Sequence, residues 1–155
     1  MSKKLLSVLV TCVGLSALPA RASAEVYEVR AAEAKAVVGT RTVAAVHFAT
    51  RQGWHLNQEA PFTLKLAPGP GLTVDKAKLT RADLARSTEN EARFDVGLTA
   101  SQAGDQGVQA EAGFVICRET ECRPIKEKLV IKVAASSPAA AKPAPKAKRA
   151  KKASE

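Results

Sequence analysis

The chain has 155 residues, three cysteines and a formal net charge of +9. The charge is concentrated at the two ends, because residues 1–24 carry +3 and residues 134–155 carry +5. Residues 25–133 therefore carry only +1, which excludes a strongly basic folded domain. This stretch of about 109 residues suits one domain with a single core and is too short for several domains.

The N-terminus predicts an exported protein. Two lysines precede an apolar run over residues 5–18, and Ala22 and Ala24 form a small-x-small cleavage site. This pattern is typical of a secretory signal peptide that is cleaved after Ala24. The apolar run is shorter than the roughly 20 residues that a membrane-spanning helix needs. We therefore expect the mature protein in the periplasm or outside the cell.

Export changes the interpretation of the cysteines. Cys12 is lost with the signal peptide, so the mature protein keeps Cys117 and Cys122. An even pair of cysteines in an oxidising compartment is usually a disulfide, whereas in the cytosol a metal site or a catalytic role would be favoured.

Short β-prone segments follow one another at a spacing of about ten residues. Phe62-Thr63-Leu64-Lys65-Leu66 alternates strictly, as a half-buried strand does, and Pro68-Gly69-Pro70-Gly71 is a strong break. The predicted strands are residues 26–29, 34–38, 42–49, 54–57, 62–66, 72–74, 92–99, 108–117 and 125–133. With almost no helical periodicity, this pattern predicts an all-β sandwich over residues 25–133.

Residues 76–90 allow two interpretations. Thr80 followed three positions later by Asp83 is compatible with a capped helical turn. The alternative is a polar connection without regular structure. The residues alone leave both open.

Residues 134–155 differ from the rest of the chain in composition. They are rich in Ala, Pro and Lys and contain no aromatic or large apolar side chain after residue 133. Such a segment buries too little surface to offset its ordering entropy, so we expect a disordered basic tail. After export we expect it to contact anionic envelope polymers or lipid headgroups rather than nucleic acid. The alternative is a solvated spacer without a partner.

Cys117 and Cys122 bracket a four-residue polar loop between two β-prone runs, which predicts a hairpin in which the cysteines face each other. The resulting cross-strand pairs are Phe114 with Ile125, Ala110 with Leu129, Glu111 with Lys128, and Ala112 with Glu127. The first three are favourable neighbours. The fourth is not, which predicts that Pro124 or a bulge disturbs the ladder.

The same register assigns faces to the hairpin. Phe114 and Ile116 lie on the core side, and so do the facing residues Ile125, Leu129, Ile131 and Val133. Both sulfurs are then predicted to point away from the core, within reach of a partner thiol. A disulfide that closes a loop of about six residues raises the free energy of unfolding by only about 2 kcal/mol. Exposed disulfides also tend to exchange with other thiols. From the residues alone, exchange and a structural staple both stay open.

Several segments together resemble the N-terminal periplasmic domain of the thiol:disulfide interchange protein DsbD. They are Gly53-Trp54-His55-Leu56, Phe62-Thr63-Leu64-Lys65-Leu66, Arg93-Phe94-Asp95-Val96, and Phe114-Val115-Ile116-Cys117 followed by Cys122-Arg123-Pro124. The resemblance covers about residues 26–133, and its most specific part is the cysteine pair followed closely by proline.

The resemblance implies an immunoglobulin-like fold and a thiol–disulfide exchange activity. Cys117 and Cys122 would be the catalytic pair, with Cys122 as the sulfur that attacks partners and Cys117 as the resolving sulfur. The implied partners are envelope thiol–disulfide proteins and a membrane electron donor. No cofactor is implied.

Two departures from the family support an alternative function. Family members cover the pair with an aromatic-bearing loop, but the corresponding residues 80–90 contain no aromatic residue, and the chain contains no membrane-spanning electron donor. The alternative is a non-enzymatic envelope binding or adaptor sandwich with a structural disulfide.

The two histidines give little support to a metal site. His47 lies within a strand and is expected to be exposed, and His55 follows Trp54, which we expect in or at the edge of the core. Nothing in their spacing matches a ligand set, so we expect no metal.

Overall fold

The computed structural model describes residues 26–138. The predicted signal peptide and the predicted tail beyond residue 138 lie outside the described residues. Across residues 26–138 no helix has the length and hydropathy of a membrane span. The elements in chain order are β1 (Tyr27–Ala31), β2 (Ala34–Val37), β3 (Arg41–Thr50), β4 (His55–Leu56), β5 (Thr63–Pro68), β6 (Leu72–Val74), β7 (Lys78–Thr80), a 3₁₀ turn (Arg81–Asp83), β8 (Leu84–Ser87), β9 (Glu91–Ala100), β10 (Gly104–Arg118) and β11 (Glu121–Ser136).

The strands form two sheets that pack face to face. The first sheet has the order β1-β3-β9-β6, and β8 also pairs with β9. The second has the order β2-β11-β10-β5-β7, and β4 also pairs with β10. Among the described strands the neighbours are antiparallel, except that β2 runs parallel to β11. The predicted all-β, immunoglobulin-like sandwich is confirmed.

The core is formed by the inward side chains of both sheets. Strand alternation is visible in β3, where Ala44, Val46 and Phe48 are buried and the residues between them are not. A cluster of four phenylalanines, Phe48, Phe62, Phe94 and Phe114, lies between the sheets with mostly edge-to-face rings. Burying such a side chain contributes about 2 kcal/mol or more, so this cluster holds the sheets together.

The β10–β11 hairpin has the predicted register throughout. Pairing is continuous from Gly104 opposite Ala135 to Arg118 opposite Glu121, and it includes the four pairs expected from the sequence. The predicted disturbance at Pro124 is wrong. Pro124 pairs with Val115 at a position where β11 has no described strand on its outer side, and proline is tolerated at such an edge.

Strand β11 continues to Ser136, beyond the predicted end of the domain at residue 133. Its last residues pair with β2, where Ala135 lies opposite Ala36. Both alanines are buried and belong to the core. The end of β11 was therefore not predictable from the Ala-rich composition of residues 134–136.

Within residues 76–90, the helical-turn interpretation is confirmed at Arg81–Asp83. The backbone N–H of Thr80 donates to Oδ2 of Asp83 at 2.9 Å, and its hydroxyl lies 3.1 Å from the same oxygen. Lys76 Nζ also donates to this carboxylate. The flanking residues form short strands, β7 and β8, that the sequence interpretation did not identify.

Asp83 makes this turn sensitive to acid. The hydrogen bond from Lys76, followed by those from Thr80, lowers the pKa of the Asp83 carboxyl below its ordinary value of 3.8. Because the folded state prefers the ionised form, Asp83 adds stability at pH values above 3.8 and loses that contribution as the pH falls through its lower folded pKa.

We expect Asp83→Asn to be less stable than wild type at pH 7 and closer to it at pH 2.5, as measured by urea unfolding at both pH values. Equal differences at the two pH values would contradict this role.

Candidate functional site

Cys117 and Cys122 form a disulfide at the tip of the β10–β11 hairpin. Their sulfurs are 2.03 Å apart and their Cα atoms 4.1 Å apart. The chain reverses between Arg118 and Glu121, which still pair, and Glu119 takes a positive φ of 51° in the turn. The predicted hairpin disulfide is confirmed.

The two cysteines differ in exposure, which corrects the prediction that a partner could reach both sulfurs. Cys117 is 5% exposed, whereas Cys122 is exposed. The cause is the pairing on either side of the hairpin. β4 lies against the far side of β10, where His55 is opposite Cys117, while β2 reaches only residues 133–136 of β11. Cys122 is therefore at an open edge and Cys117 is enclosed between two strands.

Asn57, directly after β4, contacts the enclosed sulfur. Its side-chain Nδ2 donates to Sγ of Cys117 at 3.5 Å. Its Oδ1 accepts from the backbone N–H groups of Glu59 at 2.8 Å and Ala60 at 3.0 Å. These two bonds form an Asx turn that fixes the orientation of the amide, so the N–H side faces the sulfur.

The loop that carries Asn57 is held from behind by Arg81. The guanidinium of Arg81 donates to the carbonyl of Asn57 at 2.9 Å and to the carbonyl of Ala60. Gln58 in the same loop donates to the carbonyl of Thr88 at 2.6 Å. Residues 80–90 thus support the loop beside Cys117.

The arginines near the cysteines do not face the sulfurs. Arg118 and Arg123 lie over the ring of Trp54, with their Cζ atoms 5.3 Å and 4.6 Å from its centre. Trp54 is 3% exposed, as the core prediction expected. Alternation along β11 places Arg123 on the opposite side of the strand from Cys122, and its Nε is paired with Glu121 at 2.6 Å. The cationic groups therefore cover the tryptophan.

One of the two histidines lies as predicted, and the other lies beside the cysteines. His47 is exposed on the outer side of β3, as expected. His55 is half-buried and is the cross-strand neighbour of Cys117. Within residues 26–138 no group of three or more His, Cys, Asp or Glu side chains is arranged to hold a metal ion. The groups gathered at this site are a disulfide, an amide and an imidazole.

Comparisons with known proteins leave the function to be argued from this site. No family model matches the chain, and no curated protein matches it. Among solved structures, the major subunit of aggregative adherence fimbriae type I from Escherichia coli is similar at 9% identity, covering 71% of this chain and 95% of that chain, with a TM-score of 0.37. A PapD-like domain of human CEP192 is similar at 9% identity, covering 86% and 97%, with a TM-score of 0.36. A conjugative transposon lipoprotein from Bacteroides eggerthii is similar at 12% identity, covering 68% and 93%, with a TM-score of 0.34.

Proposed function

We propose that this domain exchanges electrons with envelope thiol proteins through the Cys117–Cys122 disulfide. The observation that carries the proposal is the difference between the two sulfurs. Cys122 is open to a partner, whereas Cys117 is enclosed and accepts a hydrogen bond from Asn57. A disulfide with one accessible sulfur and one supported leaving sulfur has the asymmetry that directional exchange needs.

The exchange takes place in two steps. A partner thiolate attacks Sγ of Cys122, so that a mixed disulfide forms, the bond to Cys117 breaks and Cys117 leaves as a thiolate. A second thiolate of the partner then attacks the partner's own sulfur in the mixed disulfide, and Cys122 is released. The partner dithiol becomes a disulfide, and its two electrons reside on the two cysteines, which take up protons from solvent. The reverse sequence, which Cys122 begins as the attacking thiolate, reduces a partner disulfide.

Asn57 favours the step in which Cys117 leaves. A hydrogen bond to the charged form of a group stabilises that form, and a thiol of lower pKa leaves faster. The amide is already oriented by its bonds to Glu59 and Ala60, so no reorganisation is needed when the charge develops on the sulfur. Cys117 is thus suited to be the resolving and leaving sulfur.

The stability contributed by the bond is small. Its cysteines are separated by five positions in the sequence, and a loop of this length adds about 2 kcal/mol by chain entropy. The β10–β11 ladder already aligns the two strands on either side. The bond therefore adds little to the hairpin, which favours exchange over the structural-staple alternative.

The proposed function includes export. A disulfide is typical of an oxidising compartment, and the signal-peptide pattern and the resemblance to the DsbD N-terminal domain agree with a periplasmic or secreted protein. The proposed partners are envelope thiol–disulfide proteins and a membrane electron donor.

Two single-cysteine variants test the proposal with glutathione as the probe. We expect reduced Cys117→Ser, which keeps Cys122, to form a mixed disulfide with oxidised glutathione at least tenfold faster than reduced Cys122→Ser, which keeps only the enclosed Cys117. Reaction rates are measured by mass spectrometry at pH 7. Circular dichroism and urea unfolding serve as controls, since both variants lose the same disulfide and should remain folded.

The reduction potential separates exchange from a structural role. Equilibration of wild type with glutathione buffers gives the potential of the pair. A value well below about −300 mV, or equal reactivity of the two single-cysteine variants, would mark an inert bond and favour the adaptor alternative.

A further inference from the structure

The outer face of the second sheet is rich in lysine. Strand alternation turns six lysines to solvent on this face, and each of them is exposed. They are Lys35 on β2, Lys65 on β5, Lys78 on β7, and Lys126, Lys128 and Lys132 on β11. We call these six residues the lysine face.

Lysines outnumber carboxylates on the lysine face, where Glu111 lies among the lysines and Glu33 and Asp105 line a groove with Lys132. Lys65 pairs with Glu111 at 3.6 Å, and Glu111 also lies opposite Lys128. Within residues 26–138 no ion pair involves the other five lysines. The outer face of the first sheet is different, because its arginines have carboxylate partners. Those pairs are Arg30 with Glu28, Arg41 with Asp75, Arg86 with Glu91, and Arg93 with Asp95.

The accessible sulfur lies on the lysine face. Cys122 shares its side of β11 with Lys126, Lys128 and Lys132, because these positions differ by even numbers. At a rise of about 3.3 Å per residue, Lys126 is roughly 13 Å and Lys128 roughly 20 Å from Cys122 along the strand. A protein interface of standard size covers about 800 Å² on each partner and is thus roughly 30 Å wide. An interface of this size that is centred between Cys122 and Lys128 therefore covers Cys122 and both lysines.

The surface between these lysines has the mixed character of an interface. A shallow groove of about 370 Å³ runs between β5 and β11 and is lined by Lys65, Ala67, Gln109, Glu111 and Lys128. Val130, beside it on β11, is 45% exposed. An apolar centre with a charged rim is typical of protein–protein contacts.

We propose that the lysine face is the docking surface for a thiol–disulfide partner whose cysteine is surrounded by acidic residues. The inference rests on the proposed exchange at Cys122, and it adds the charge of the partner. Excess positive charge on the same face as the reacting sulfur steers a negatively charged partner into contact. It disfavours a positively charged partner, including a second copy of this face. The basic face thus selects partners, while the disulfide carries the chemistry.

Three cysteine peptides of different charge test this inference on the oxidised full-length mature protein. One has two Glu on each side of its cysteine, one has two Ser, and one has two Lys. The rate of mixed-disulfide formation at Cys122 is measured by mass spectrometry at 20 mM and 500 mM salt. The variant is Lys126→Gln/Lys128→Gln. Its matched control is Arg30→Gln/Arg86→Gln, which removes the same charge from the outer face of the first sheet.

We expect the acidic peptide to react with wild type at least fivefold faster at low salt than at high salt. The Lys126→Gln/Lys128→Gln variant should lose at least threefold of the low-salt rate, and the Arg30→Gln/Arg86→Gln control should lose less than 1.5-fold. The Ser peptide should react equally with all three proteins. These rates depend on ionic strength because charges more than about 10 Å apart are screened at 0.1 M salt.

Each failure has its own signature. If the Ser peptide does not react at Cys122 in any protein, the proposed exchange function fails. If the Ser peptide reacts but the acidic peptide is slowed equally in variant and control, only total charge matters and the docking proposal is overturned. Loss of dextran sulfate binding in the variant, with unchanged peptide rates, would also overturn it, because the face would then be a site for an anionic polymer.

Discussion

Replacing Phe48 with alanine is expected to lower the free energy of unfolding by about 3 to 5 kcal/mol. Phe48 is 1% exposed and belongs to the first sheet. Its ring lies 4.9 Å from that of Phe62 and 5.4 Å from that of Phe114, both on the side of the second sheet, and 6.0 Å from that of Phe94. The substitution would remove a ring that contacts the other three and links the first sheet to the second, and the two sheets cannot close the cavity without shifting.

Urea unfolding under non-oxidising, non-reducing conditions measures this loss with the disulfide intact. Val43→Ala is a suitable control, since Val43 lies on the same strand but points outward and is 47% exposed. We expect that variant to be within about 0.5 kcal/mol of wild type. A loss of less than about 1 kcal/mol in Phe48→Ala would show that the aromatic cluster does not hold the two sheets together.

Much of this core was predictable, because strand alternation depends on local sequence. The runs around Phe48, Phe94 and Phe114 alternate clearly, and each is a strand with its aromatic ring inside. The ends of strands were harder to predict. Residues 134–136 resemble the tail in composition, and they form a strand only because β2, about a hundred residues earlier, pairs with them.

The site was predictable to the extent that it depends on the hairpin. The pairing of Cys117 with Cys122 set the register, and that register is the one observed. The burial of Cys117 was not predictable in this way. It depends on β4, a strand of two residues, and on the following Asn57, whose distance in the sequence gives no sign that it contacts the sulfur. A pattern within one hairpin cannot show what lies against its outer edge.

Asn57→Asp is expected to raise the pKa of the Cys117 thiol, because a carboxylate beside the sulfur disfavours the thiolate. The carboxylate keeps the oxygen that accepts from Glu59 and Ala60, so the Asx turn is retained. It replaces the N–H that lies 3.5 Å from Sγ with a negatively charged oxygen. The change therefore alters the charge beside the sulfur while preserving the shape of the loop.

The measurement is thiolate absorbance at 240 nm against pH in a protein of residues 25–155 that carries Cys122→Ser, where Cys117 is the remaining cysteine. Gln58→Glu is the matched control. It adds the same charge at the next position, but Gln58 contacts Thr88 and Ser87 rather than the sulfur. In wild type, Asn57→Asp should also slow the attack of glutathione on Cys122 roughly threefold or more, since a leaving thiol of higher pKa leaves more slowly. If both variants shift the pKa equally, the effect is that of general charge and the Asn57 amide has no specific role. If only Asn57→Asp shifts it, the enclosed sulfur is supported as a thiolate, which a purely structural disulfide does not require.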